Sequence, residues 1–189
     1  MPRPFKGKSM SIYVSLLRGI NVSGQKQIKM AELKGLYESL GLAQVETYVQ
    51  SGNVIFESAE PDPAQLASLI EGGIQQALGY EVTVFIRTPA DLKRLVESNP
   101  FLKDQHADTT PLHVTFLHTP PADPTLDRPD SGRDEFRIAG REVYVFCPDG
   151  YGKTKLSNAF FERKLKTSAT TRNWKTVTTL NDLASQAEG

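Results

Sequence analysis

An α+β fold is the expectation for this chain, and three observations carry it. Short β-branched runs alternate with segments of helical period. Turn residues mark most of the junctions between them. The first six elements come in the order β-α-β-β-α-β. Composition sets the frame: 39% hydrophobic and 23% charged residues over 189 positions is the makeup of a globular protein, with room for one generous core or two small ones.

Each element has a local reason. "SIYVSLLR" (11–18) is apolar and β-branched and reads as a central strand. "KMAELKGLYESLG" (29–41) spaces Met30, Leu33, Leu36, Tyr37 and Leu40 for one helix face, with Gly41 where the helix should stop. "VETYVQSGNVIFES" (45–58) gives two strands around a Ser51-Gly52 turn. "PDPAQLASLIEGGIQQALGY" (61–80) is a second amphipathic helix, with Asp62 as N-cap and Pro63 in the first turn. "EVTVFIRT" (81–88) is a fourth strand; Val82, Val84 and Ile86 point to one side and Phe85 to the other, so both faces should be covered. This order is the split βαβ plan of a ferredoxin-like domain over residues 10–88, preceded by a loose tail at 1–9.

Residues 89–189 predict a smaller α+β subdomain packed on the first. "PADLKRLVESNPF" is a short helix, "PLHVTFLHT" a strand and "PPADPTLDRPDSGRD" (120–134) an exposed Pro/Asp-rich loop. A hairpin turns near Ala139-Gly140, and two helices, "TKLSNAFFERKL" and "TTRNWKTVTTLNDLAS", close the chain. Thr170 or Thr171 is the expected N-cap of the last one, which places Arg172 and Asn173 in its first turn and makes Trp174 a core anchor.

Several function classes are disfavoured. No apolar run approaches the roughly 20 residues of a membrane span, and "MPRPFKGKSMSIYV" lacks the apolar stretch of an export signal. The single cysteine, Cys147, cannot form an internal disulfide and makes a reducing cytoplasm the default setting. At the end of a strand it reads as an inert buried thiol. CxxC, HExxH, GxSxG and GxGxxG are all missing, so neither a metal nor a cofactor is indicated. "CPDGYGKT" resembles a phosphate-binding loop, but GxxxxGK[ST] needs glycine where Cys147 stands. Gly150 and Gly152 before a helix start could still offer amides to an anion, beside Lys153 and Lys155.

The net charge is zero, yet it is unevenly spread. From Lys153 to Gly189 seven basic residues face three acidic ones, whereas Pro61 to Gly152 holds eight basic and fourteen acidic. A basic tail attracts phosphates. In the split βαβ plan the end of strand one lies beside the turn between strands two and three. "RGIN" (18–21) should therefore meet "QSGN" (50–53) at one sheet edge. The polar groups expected to bind there are Arg18, Asn21, Gln50, Ser51 and Asn53, joined by Lys153, Lys155, Asn158, Arg172 and Asn173 if the C-terminal segment folds back. The partner this predicts is a phosphate-bearing small molecule, nucleotide or nucleic acid. A small-molecule enzyme using the same pocket and a protein-interaction scaffold, with self-association, are the alternatives.

"YVSLLRGINVSGQKQIKMAELKGLYESLG", "VETYVQSGNVIF" and "GKTKLSNAFFERKLKTSATTRNWKTVTTLNDLA" together resemble an uncharacterised bacterial family, domain of unknown function 1697. The resemblance runs from about Ser11 to Ala184. It implies a cytoplasmic α+β protein with a ferredoxin-like half and brings no activity with it. The matching motif positions are Arg18, Gly19, Asn21, Gln50, Ser51, Gly52, Asn53, Lys155, Leu156, Thr171, Arg172, Asn173 and Trp174.

Overall fold

The computed structural model describes residues 8–103 and 108–189. Most of the expected N-terminal tail lies outside them. The first half forms β1 (Ser11–Leu17), α1 (Met30–Ser39), β2 (Ala43–Tyr48), β3 (Asn53–Ser58), α2 (Pro63–Leu78) and β4 (Val84–Arg87). Its antiparallel sheet has the order β2-β3-β1-β4, as the split βαβ plan requires. Asp62 caps α2 by accepting from the Ala64 amide at 2.9 Å, with Pro63 in the first turn.

The second half forms α3 (Pro89–Glu97), β5 (Leu112–Leu117), β6 (Glu135–Ala139), β7 (Glu142–Phe146), α4 (Asn158–Leu165), β8 (Ala169–Asn173) and α5 (Trp174–Glu188). Strand β8 departs from the sequence expectation: Thr170, Thr171 and Arg172 are extended and pair with Phe116, Thr115 and Val114, and Asn173, not a threonine, caps α5. The β-branched pair Thr170-Thr171 suits a strand as well as a cap, and pairing with β5 decides between them. Gly150 precedes and Gly152 lies within a single 3-10 turn, Tyr151–Lys153, whereas α4 starts later behind the Ser157 cap.

With β8 included, the second sheet has the order β6-β7-β5-β8. This repeats the first sheet strand for strand. The segment between β5 and β6 stands where α1 stands in the first half, and each half ends with its fourth strand running straight into a helix, β4 into α3 and β8 into α5.

Alternation along the strands builds three apolar layers. Tyr13, Leu17, Val54, Phe56, Val84 and Ile86 face α1 and α2. Val14, Leu16, Ile55 and Phe85 face the other way, toward Leu112, Val114, Phe116 and Tyr144 of the second sheet, with Leu92 and Leu95 of α3 and Trp174, Val177 and Leu180 of α5 in the same cluster. Leu117, Val143 and Val145 pack with Phe160, Phe161 and Leu165 of α4. The second half therefore covers the sheet face left open by α1 and α2. Cys147 is buried in this last layer, and desolvation pushes its thiol up to about 11, so it stays protonated at neutral pH. No helix among the described residues is long and apolar enough to cross a membrane.

The turn between β2 and β3 is tightly specified. Gly52 has φ +83°, and a Cβ there would stand 2.5 Å from Ile20 Cδ1 and 3.0 Å from Leu17 Cβ. Left-handed strain and overpacking add, so Gly52→Ala is expected to cost about 2–4 kcal/mol, readable as a lower urea midpoint with an unchanged slope.

Candidate functional site at the junction of the two halves

The end of β1 and the β2–β3 turn do meet. Leu17 N–H donates to Gly52 O at 2.9 Å, and Asn21 Nδ2 donates to Gln50 O at 2.7 Å and to Ile28 O at 3.0 Å. Asn21 Oδ1 accepts from the Ile28 amide, which folds the loop after β1 onto itself. Asn21 tolerates its left-handed backbone at φ 55° because its short amide can bond locally. Asn53 is buried at the head of β3, and its Nδ2 donates to Tyr48 O and Ser51 Oγ, both at 2.9 Å.

Arg172 reaches this edge from β8. Nε donates to Asn53 Oδ1 at 2.7 Å. Nη1 donates to Thr170 Oγ1 and Thr171 O, and Nη2 to Leu17 O and Ser51 O, so all five N–H groups are used. Arg87, the last residue of β4, performs the mirror operation on the second half. Its Nε donates to Glu142 Oε1 at 2.9 Å, Nη1 to Ile86 O, and Nη2 to Leu117 O and Arg141 O. Each arginine thus bonds the end of the other half's first strand, the turn before its third strand, and that strand's first side chain. Such reciprocity is the signature of a two-fold-like interface.

The two clasps differ in charge. Arg87 has a carboxylate partner, Glu142. Arg172 is bonded only to neutral oxygens, and among the described residues no carboxylate pairs with it. Burial pulls its guanidinium down to about 10, which leaves it a cation at neutral pH.

Arg18 follows Leu17, whose carbonyl Arg172 binds. Its Nε donates to Glu162 Oε1 at 2.7 Å and to Ala169 O at 3.1 Å, and Nη2 donates to Glu162 Oε2 at 2.9 Å. Its other three N–H groups have no protein acceptor among the described residues, and the side chain is 36% exposed. Glu162 is held on α4 and also accepts the Ala169 amide, so both of its carboxylate oxygens are engaged. Lys166 follows at the C-cap of α4, its backbone turned left-handed at φ 57°. These residues border a cleft of about 460 Å³ lined by Arg18, Thr83, Glu162, Lys166, Thr167 and Ser168, with no apolar side chain among them. Thr83 and Ser168 occupy matching places: Arg18 N–H donates to Thr83 O and His118 N–H to Ser168 O. The cleft lies where the two halves meet.

Of the sequence candidates, Arg18 is the one that lines this cleft. Asn21 and Gln50 border a separate depression with Lys29 and Glu32. Asn158 accepts from Thr171 Oγ1 at 2.6 Å on the α4 face of the second sheet, opposite to Arg172 along β8. Asn173 caps α5 through the Thr176 amide. Lys153 and Lys155 are exposed between β7 and α4. The fold thus gathers Arg18, Asn21, Gln50, Ser51, Asn53 and Arg172 at one end of the first sheet and leaves the other four apart. Lys166, Thr83, Thr167 and Ser168 escape sequence reading. The Lys164–Lys166 basic run is the one local hint of them, and their convergence depends on β4 and β8 being equivalent strands.

Fold and cleft define an α+β protein of two halves with the same four-strand order, clasped by reciprocal arginines, with a polar cationic cleft at their junction. The chain belongs to the family described as protein of unknown function DUF1697, whose model matches residues 10–144. It is similar to the conserved bacterial protein SP0830 from Streptococcus pneumoniae, at 25% sequence identity and a TM-score of 0.70, over 93% of this chain and 99% of that one. No curated protein matches the chain.

Proposed function

We propose that the protein is a binding module for a phosphate-bearing ligand, a nucleotide or nucleic acid, whose phosphate sits in the cleft between Arg18 and Lys166. One observation carries this reading: two cations, half-buried Arg18 and exposed Lys166, line the cleft with a single carboxylate, Glu162, and three N–H groups of Arg18 have no protein acceptor among the described residues. An anionic group would relieve that imbalance and satisfy those donors. Its oxygens would take the unused N–H groups of Arg18, the Lys166 ammonium and the hydroxyls of Thr83, Thr167 and Ser168. The all-polar lining favours a phosphate over an aromatic ring as the group lodged there.

The test is a melting-temperature screen against inorganic phosphate, nucleoside phosphates and short oligonucleotides, with wild type beside Lys166→Asn. Asparagine keeps the left-handed backbone and removes only the charge. Wild type should be stabilised by mass action, and the variant should bind roughly tenfold more weakly, the equivalent of about 1.4 kcal/mol. If the ligand is a nucleic acid, affinity should also fall steeply with salt. A wild type that responds to none of these compounds, or a variant that responds equally to each of them, would overturn the proposal.

A further inference from the structure

A second cavity, of about 670 Å³, lies where β5 begins and β8 ends, and the phosphate reading does not use it. His113, Tyr151, Asn173, Trp174, Lys175 and Thr178 are among the residues that line it. Tyr151 and His113 are stacked there, ring centroids 4.7 Å apart and planes 24° from parallel. Both rings are half-buried.

The stack is held from behind. Behind Tyr151, Thr171 is fixed on β8. The Thr171 hydroxyl gives its own proton to Asn158 Oδ1 at 2.6 Å, and lies 2.7 Å from Thr115 Oγ1. With its proton given to Asn158, the Thr171 hydroxyl accepts from Thr115. His113 Nδ1 is 3.3 Å from Pro111 O, while Nε2 has no partner among the described residues. Desolvation lowers the His113 pKa and keeps the ring neutral near pH 7. A neutral, pre-oriented aromatic pair is a platform for another π system.

Charge is supplied on the facing element. Lys175 is exposed and forms no ion pair among the described residues. Asn173 caps the Thr176 amide, which leaves the Trp174 and Lys175 amides of the first turn of α5 without an intrahelical acceptor.

We propose that this cavity is a second, independent binding site for a small planar ring bearing one anionic group, with the ring on the Tyr151–His113 stack and the anion at Lys175. Trp174 is the single tryptophan of the chain and lines the cavity, so its fluorescence reports occupancy directly. Benzoate and phenyl phosphate are the probes, with acetate as an anion without a ring and benzyl alcohol as a ring without a charge. Both ring anions should change Trp174 emission saturably, and neither control should do so in the same concentration range. Lys175→Ala, an exposed substitution that leaves packing intact, should weaken benzoate about fivefold to tenfold. Tyr151→Leu should abolish saturation while leaving the melting transition cooperative. The proposal fails if no ring anion gives a saturable change. It fails equally if acetate matches benzoate, or if Lys175→Ala binds benzoate as wild type does.

Discussion

Replacing Arg172 with leucine is expected to lower stability by about 3–5 kcal/mol, among the largest effects of any single substitution in this chain. Leucine fills most of the volume but donates nothing. Leu17 O, Ser51 O, Thr171 O, Asn53 Oδ1 and Thr170 Oγ1 would each lose a donor, in a region where Arg172 itself is 7% exposed. Losing the desolvation cost of an unpaired guanidinium offsets only part of this. At roughly 2–4 °C per kcal/mol for a chain of this size, the melting temperature should drop by about 10–15 °C. Arg172→Lys should recover little, because an ammonium has three donors and cannot reproduce the planar fork. Urea unfolding followed by circular dichroism checks both variants. A loss below about 1 kcal/mol for leucine would mean that the clasp adds nothing to the joining of the halves.

The reciprocal clasp yields the second large effect. Glu142→Ala should cost about 3–5 kcal/mol, since it deprives Arg87, 1% exposed, of its hydrogen-bonded carboxylate. Glu142→Gln should cost much less, about 1–2 kcal/mol, because it recreates beside Arg87 the neutral amide that Arg172 already has in Asn53. The comparison separates charge from hydrogen bonding. If glutamine is as damaging as alanine, the carboxylate charge decides, and the likeness between the clasps is one of geometry alone.

Much of the first half was legible before any coordinates. Leu66, Ile70 and Ile74 repeat at helical spacing, Asp62-Pro63 announces a helix start, and Ser51-Gly52 announces a turn. The meeting of the RGIN and QSGN loops followed from strand order, which sequence patterns can reveal. Two things were hidden. Thr170 and Thr171 carry β-branched and capping preferences at once, and only the pairing of Thr171 with Thr115 decides for β8. Without β8 the second half does not look like a repeat, all the more because its counterpart of α1 is replaced by a Pro/Asp-rich segment. The cleft was unreadable for the same reason. Thr83 and Ser168 precede equivalent strands, yet 85 positions separate them and no local motif marks either. The partner of Arg18 was hidden too, since Glu162 lies 144 residues away on α4.

A titration of isotopically labelled protein with adenosine monophosphate, followed by amide and arginine Nε resonances, tests most directly the proposal that a phosphate group binds in the junction cleft. Shifts should concentrate at Arg18 Nε–H, the Thr83 amide and the amides of Lys166, Thr167 and Ser168, and should saturate together. Saturable shifts gathered on other residues while these stay fixed, or no shift at millimolar ligand, would contradict the account.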